Sequence, residues 1–293
     1  MNGEPLPSLV LGHNQFFGID HLSSRRGAER AIKFSNSDSI LSLIHESYEA
    51  GARGLMLSTH QRSAAIGDLL RADRLLRENL QLFPLLPYAQ KYVTRANEIG
   101  MVRAVTSTFL DTPIRDRLGL GLDFVRTVMG RDPINLVRAL IRLELKIFKN
   151  LNTPVVFLHD AVSDLLLSLG IPEVFQEFQL TVKKHFNARP GIATKNLGLL
   201  RQKFSDWGLE FPVVLTHVNS VGYHVNPSIV DHERELRTGS LDVMAMGTLA
   251  SGYLQPREAA RYVRKFPCVK SVVVGVSSRT HIDQTFPAFL SAE

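Results

Sequence analysis

Eight short apolar runs, rich in β-branched residues and separated by amphipathic stretches, constrain this chain more than any other feature. They fall at 9–12, 54–57, 82–86, 154–158, 190–193, 212–215, 241–245 and 271–275. Between them lie helix signals, such as Ser37-Asp38-Ser39 ahead of Ile40-Leu41-Ser42-Leu43-Ile44 and the run from Pro172 to Phe178 with proline in its first turn. Strand and helix alternating in this way make a parallel sheet with crossover helices. Eight such units predict a closed (β/α)8 TIM barrel. An open doubly wound sheet that binds a dinucleotide would need a Gly-rich turn after its first strand, and Leu11-Gly12-His13-Asn14-Gln15 does not supply one.

A barrel of this kind takes 293 residues as one domain, here 1–293. The segment 109–150, between the third and fourth strands, is expected to be an inserted helical segment. Its apolar stripe is Leu136, Leu140, Leu143 and Ile147, and it either lids the mouth or packs on the outside. No stretch approaches the roughly 18 unbroken apolar residues of a membrane helix, and the first residues show no basic-then-apolar leader. A soluble, cytoplasmic protein is expected. The single cysteine, Cys268, cannot form an internal disulfide and reads as a packed thiol. The formal charge of +6 suits an anionic ligand, but Lys and Arg are scattered, which argues against nucleic acid. A small-molecule substrate is expected, with no membrane partner.

Catalytic groups of such barrels project from the C-terminal ends of the strands. Those positions are polar here: His13-Asn14-Gln15, Ser58-Thr59-His60, Tyr88-Ala89-Gln90-Lys91, His159-Asp160, Thr194-Lys195-Asn196, Thr216-His217, Gly247-Thr248 and Ser277-Ser278-Arg279. Four of the ten histidines, His13, His60, His159 and His217, sit at four different strand ends and are expected to converge. Imidazoles that titrate near neutrality suit general acid–base work, His159 above all. With Asp160 the same four could ligate a divalent metal, although no H-x-H or H-E-x-x-H spacing is present. Lys195 is a candidate base, nucleophile or anion contact, and Tyr88 with Lys91 a candidate proton-donating pair. His21, His45, His185, His224, His232 and His281 are expected to be structural.

Several of these stretches resemble the aldo-keto reductase superfamily, in chain order. Val274-Gly275-Val276-Ser277-Ser278-Arg279 is similar to the family's last strand and cofactor-phosphate loop. Met246-Gly247-Thr248-Leu249-Ala250-Ser251-Gly252-Tyr253-Leu254 resembles its "SPLxSGxL" loop, Gly191-Ile192-Ala193-Thr194-Lys195-Asn196 its "GxSN" strand, and Val156-Phe157-Leu158-His159 the strand with its catalytic histidine. The resemblance implies NADP, held by Asn196, Thr248, Leu249, Gly252, Ser277, Ser278, Arg279 and Gln284. It also implies an Asp, Tyr, Lys and His set, of which only the histidine carries over, as His159. The aspartate position falls on Leu55 or Met56, the tyrosine near His60 or Gln61, and the lysine strand reads Phe83-Pro84-Leu85-Leu86-Pro87. The expected function is therefore a diverged enzyme of this fold doing non-redox acid–base chemistry, as isomerase, lyase or hydrolase. The alternatives are an NAD(P)H-dependent carbonyl oxidoreductase that retains the histidine, and a non-catalytic binding barrel.

Overall fold

The computed structural model describes residues 4–20, 22–87 and 133–291. Its eight strands are β1 Leu9–Leu11, β2 Gly54–Ser58, β3 Gln81–Leu86, β4 Val155–Leu158, β5 Arg189–Thr194, β6 Val213–His217, β7 Val243–Met246 and β8 Val269–Val274. All pair in parallel in chain order, and β8 returns to β1 through Leu9, Val10 and Leu11 against Val272, Val273 and Val274. Each run expected from the sequence overlaps one of these strands, and the barrel is closed.

Strand alternation sorts the apolar residues into two cores. Val10, Met56, Phe83, Leu85, Val155, Phe157, Ala193, Val213, Leu215, Met244 and Val273 pack with one another inside the barrel. Their strand neighbours, such as Leu11, Leu55, Leu57, Val156, Leu158, Ile192 and Val274, join helix residues including Ile44, Ile66, Phe175 and Phe178. Inside, Gly191 makes room for Phe157: a Cβ there would lie 2.4 Å from the phenyl ring.

The helices are α1 Ser24–Lys33, α2 Ser37–Glu49, α3 Ser63–Ala72, α4 Arg74–Asn79, α5 Pro133–Leu145, α6 Asp160–Leu169, α7 Pro172–Phe186, α8 Leu197–Asp206, α9 Ile229–Arg237, α10 Pro256–Val263 and α11 Arg279–Leu290. The expected Ser37–Ser39 cap is displaced by one residue, because Asn36 accepts from the Asp38 N–H and begins α2. Helix α7 starts at Pro172, as read.

Of the expected insertion, 109–132 lies outside the described residues. Its remainder is α5 and a 3-10 turn, Lys146–Phe148. Helix α5 packs against α7: Arg138 donates Nε and Nη2 to Glu177 at 2.6 and 2.9 Å, and Thr181 Oγ1 donates to the same carboxylate at 2.7 Å. This described part therefore packs on the outer layer. Cys268 is buried with its thiol on the Leu236 carbonyl, as a packed cysteine should be. Among the described residues no helix is long and apolar enough to cross a membrane.

Candidate active site

The inner-core alternation, carried one step past the core, reaches Gly12, Ser58, Pro87, His159, Lys195, His217, Met246 and Gly275 at the C-terminal mouth. Three of the sequence candidates thus share the ring of positions that looks into the barrel. Gly12 and Gly275, on neighbouring strand ends, leave one side of that ring without side chains.

The strongest charges lie at the ends of β4 and β5. Asp160 sets one carboxylate oxygen 2.7 Å from His159 Nδ1 and the other 3.3 Å from Lys195 Nζ. Burial raises the Asp160 pKa. The hydrogen bond and charge of His159 and the ammonium of Lys195 outweigh that and hold the carboxyl well below the usual carboxylate range. The Ala161 N–H also points at His159 Nδ1, at 3.1 Å. One nitrogen cannot accept from Ala161 and donate to Asp160 together, and the shorter, charge-assisted contact sets the tautomer with the proton on Nδ1. Nε2 is then the ring nitrogen left for a substrate.

One turn along α6, Asp164 accepts from the Lys195 backbone N–H at 3.0 Å and from the Thr194 hydroxyl. Burial pushes its carboxyl up. The Thr194 carbonyl accepts in turn from Thr216 Oγ1 at 2.8 Å, and both threonines are fully buried. Helix α6 is thereby tied to β5 and β6, and the backbone that carries Lys195 is fixed. Asp164 was missed in the sequence, where the only signal was its spacing of four from Asp160 on one helix face.

The β1–β2 corner holds His13 and His60. A 3-10 turn, Asn14–Phe17, places Phe17 between them: its ring stacks on His60 at 4.2 Å and meets His13 at 5.3 Å. His60 Nδ1 accepts from the Arg62 N–H at 3.1 Å, so its proton sits on Nε2. Burial and the Arg62 charge lower its pKa. His13 is 9% exposed, and burial, then the charges of His159 and His60, push its pKa down to about 3 against a hydrogen bond to the Met56 carbonyl.

His217 lies under the β7 loop. A Cβ on Gly247, which holds φ at +60°, would stand 2.4 Å from the His217 ring. His224, expected to be structural, packs 5.1 Å from His217 and 4.2 Å from Tyr223, whose hydroxyl accepts from Ser251 Oγ at 2.9 Å. His232 is buried, which lowers its pKa, and His45 pairs with Asp73 at 2.7 Å. His185 lies in the last turn of α7, and His281 Nδ1 is 3.1 Å from the Ser277 hydroxyl. His21, Tyr88 and Lys91 lie outside the described residues.

The cofactor candidates occupy three strand ends. Asn196 caps α8 through Leu199 N–H, Thr248 is buried, Leu249 packs on Ala250 and Leu254, and Gly252 is exposed at φ +91°. After β8, Ser278 caps α11, Arg279 pairs with Asp283, and Lys33 Nζ donates to the Ser277 carbonyl at 2.6 Å. Gln284 is exposed farther along α11. Two hydroxyls, an ammonium, a guanidinium and the N-terminus of a 12-residue helix are the donor chemistry a phosphate takes, so this loop fits the phosphate of a dinucleotide.

The proposed metal set is not assembled. Among the described residues no three His, Cys, Asp or Glu side chains are grouped as a metal ion requires. Asp160 is engaged by His159 and Lys195, and His60 Nδ1 accepts from the Arg62 N–H. His217 is packed beneath Gly247.

No family model and no curated protein matches the chain in sequence. Solved structures do match in fold. A protein from Pseudomonas aeruginosa assigned to the aldo-keto reductases is 15% identical, with a TM-score of 0.62 over 99% of this chain and 96% of its own. An aldo/keto reductase from Brucella melitensis is 13% identical, with a TM-score of 0.56 over 98% and 88%. The fold is that of the aldo-keto reductases. One of Bombyx mori, solved in complex with NADP, is 13% identical, with a TM-score of 0.55 over 98% and 85%. The leading expectation of isomerase, lyase or hydrolase chemistry draws no support from these structures.

Proposed function

We propose that this protein is an NADPH-dependent carbonyl reductase acting on a small-molecule substrate at the C-terminal mouth of its barrel. The observation that carries the reading is the Asp160 carboxylate, which grips His159 Nδ1 at 2.7 Å and Lys195 Nζ at 3.3 Å on adjacent strand ends. An acid, a lysine and a histidine are the charged residue types of the set that the family resemblance implies, here contributed by β4 and β5. The reductase fold and the NADP complex of the Bombyx mori protein support the same reading.

NADPH, when bound, supplies a hydride to the carbonyl carbon. Ser277, Ser278, Arg279 and Lys33 would hold its phosphate at the start of α11. His159 acts in its doubly protonated form: with Nδ1–H locked on Asp160 it would give its Nε2 proton to the carbonyl oxygen, completing the alcohol and leaving the ring as the neutral Nδ1–H tautomer. The Lys195 ammonium offsets negative charge developing on that oxygen, and Asp160 holds both cations in place.

The test is a titration of NADPH fluorescence followed by NADPH oxidation with a panel of aldehydes and ketones. His159→Gln should lose about 10²- to 10⁴-fold in kcat while NADPH binding is retained, the usual scale for a removed general acid. A protein that binds no NADPH, or a variant with full kcat, refutes the reading.

A further inference from the structure

At the end of the barrel opposite the mouth, a cavity of about 290 Å³ is lined by the start of β8 together with residues of α10 and α11. Its walls include Val263, Phe266 and Val272, all buried, and Phe289, which packs against the same core. Among the described residues that line it, the charged side chains are Arg264 and Lys270, both positive.

The backbone at this point re-aims Lys270. Against β7 the register slips: Val243 pairs with Val269 and Met244 with Ser271, which leaves Lys270 as the extra residue of a bulge. A bulge takes one side chain out of the alternation of its strand, and here that side chain lines the cavity. Lys270 Nζ donates to the Pro267 carbonyl at 2.8 Å. That acceptor is neutral, so it fixes the ammonium at the rim without cancelling its charge. Arg264 stands beside it, fastened through Nη2 to the Ala288 and Ser291 carbonyls at 2.6 and 2.7 Å.

An apolar floor with a fixed cation at its rim is complementary to an amphipathic anion: the tail leaves water and the head pairs with the ammonium. The volume sets the size. At about 30 Å³ for each water-sized group it takes roughly ten non-hydrogen atoms, the small end of ligand sites. We propose that this cavity is a second binding site, separate from the mouth, for a medium-chain carboxylate of about eight carbons. Its tail lies against Val263, Phe266 and Val272, and its carboxylate pairs with Lys270. The site does not depend on the chemistry of the mouth.

The probes are octanoate, octanol and acetate, titrated into the full chain by calorimetry. Octanoate should bind saturably. Octanol, which keeps the tail and lacks the charge, should bind about tenfold more weakly, and acetate, which lacks the tail, should give no saturable heat. Lys270 is exposed, so its substitution leaves the core alone. Lys270→Met keeps an unbranched stem without the charge; it should weaken octanoate about tenfold and leave octanol where it was, and Lys270→Arg should restore octanoate. Methyl ¹³C spectra locate the tail, because octanoate should move the Val263 and Val272 signals. If those signals stay still while the His159 imidazole moves, the mouth alone has taken the probe and the proposal is overturned. Equal affinity for octanoate and octanol overturns it too, as does an octanoate affinity unchanged in Lys270→Met, or no saturable binding of octanoate.

Discussion

Acidification should unfold this protein partly through His13, and the effect can be worked from the structure. The His13 pKa is about 3 in the fold, with burial the largest cause, against an ordinary value of 6.5. Between those limits the unfolded chain takes up a proton that the folded chain refuses. A depressed folded pKa means that the contribution to stability is complete above pH 6.5 and is lost as pH falls toward about 3. At pH 5 the protein stands 1.5 pH units inside that window. At about 1.4 kcal/mol per unit, His13 alone should cost about 2 kcal/mol there. The perturbation is His13→Phe, which keeps a ring against Phe17 but cannot titrate. His60 and His232 also have lowered values, mainly through burial, and they remain in both proteins and cancel. Urea unfolding at pH 7 and pH 5 is the assay, with equal m-values required of the two proteins. Wild type should lose about 2 kcal/mol more than the variant on acidification. The variant starts lower at pH 7 because the Met56 carbonyl loses its donor, but that offset does not alter the difference between pH values. An equal loss in both proteins would mean that the folded state protonates His13 freely, and a pKa depressed by burial would be wrong.

Three further outcomes follow from the same contacts. Asp160→Asn removes the charge shared by His159 and Lys195; kcat should fall about 10²- to 10⁴-fold with NADPH affinity retained, and an unchanged kcat would reduce Asp160 to a structural role. Gly191→Ala drives a Cβ to 2.4 Å from Phe157 and should destabilise by about 1–3 kcal/mol; Phe157→Leu in the same chain should recover more than additivity allows, measured by urea unfolding of the double-mutant cycle. Arg138→Met should cost about 1–2 kcal/mol at pH 7, discounted for the 43% exposure of the arginine side chain. Glu177 is held below its ordinary 4.5 chiefly by Arg138, so this cost is present above that value and should fade as pH falls through it, seen by comparing unfolding at pH 7 and pH 4.

The barrel was legible because each strand carries its own signal. Val155–Leu158 and Val269–Val274 are strands in any context that buries them, and eight such runs leave little choice of closure. Strand ends were legible for the same reason, and His159 and Lys195 stand where the reading placed them, although their pairing through Asp160 depends on the packing of β4 against β5. The metal reading drew no support because residue type and strand-end position do not say whether side chains meet: among the described residues no three His, Cys, Asp or Glu side chains are grouped as an ion requires. Asp164 was passed over because its role comes from contacts with Thr194 and Lys195, about thirty residues away in sequence.

Aligned by position, the sequence lacks three of the four residues that the reductase resemblance implies. That comparison assumes each role belongs to a fixed strand. The geometry of a barrel does not require it, because every second residue past the inner core, on any of eight strands, looks into the same mouth. Under the proposed reductase reading, Lys195 reaches the mouth from the end of β5 beside His159, and Asp160, at the start of α6, contributes by holding both side chains at 2.7 and 3.3 Å.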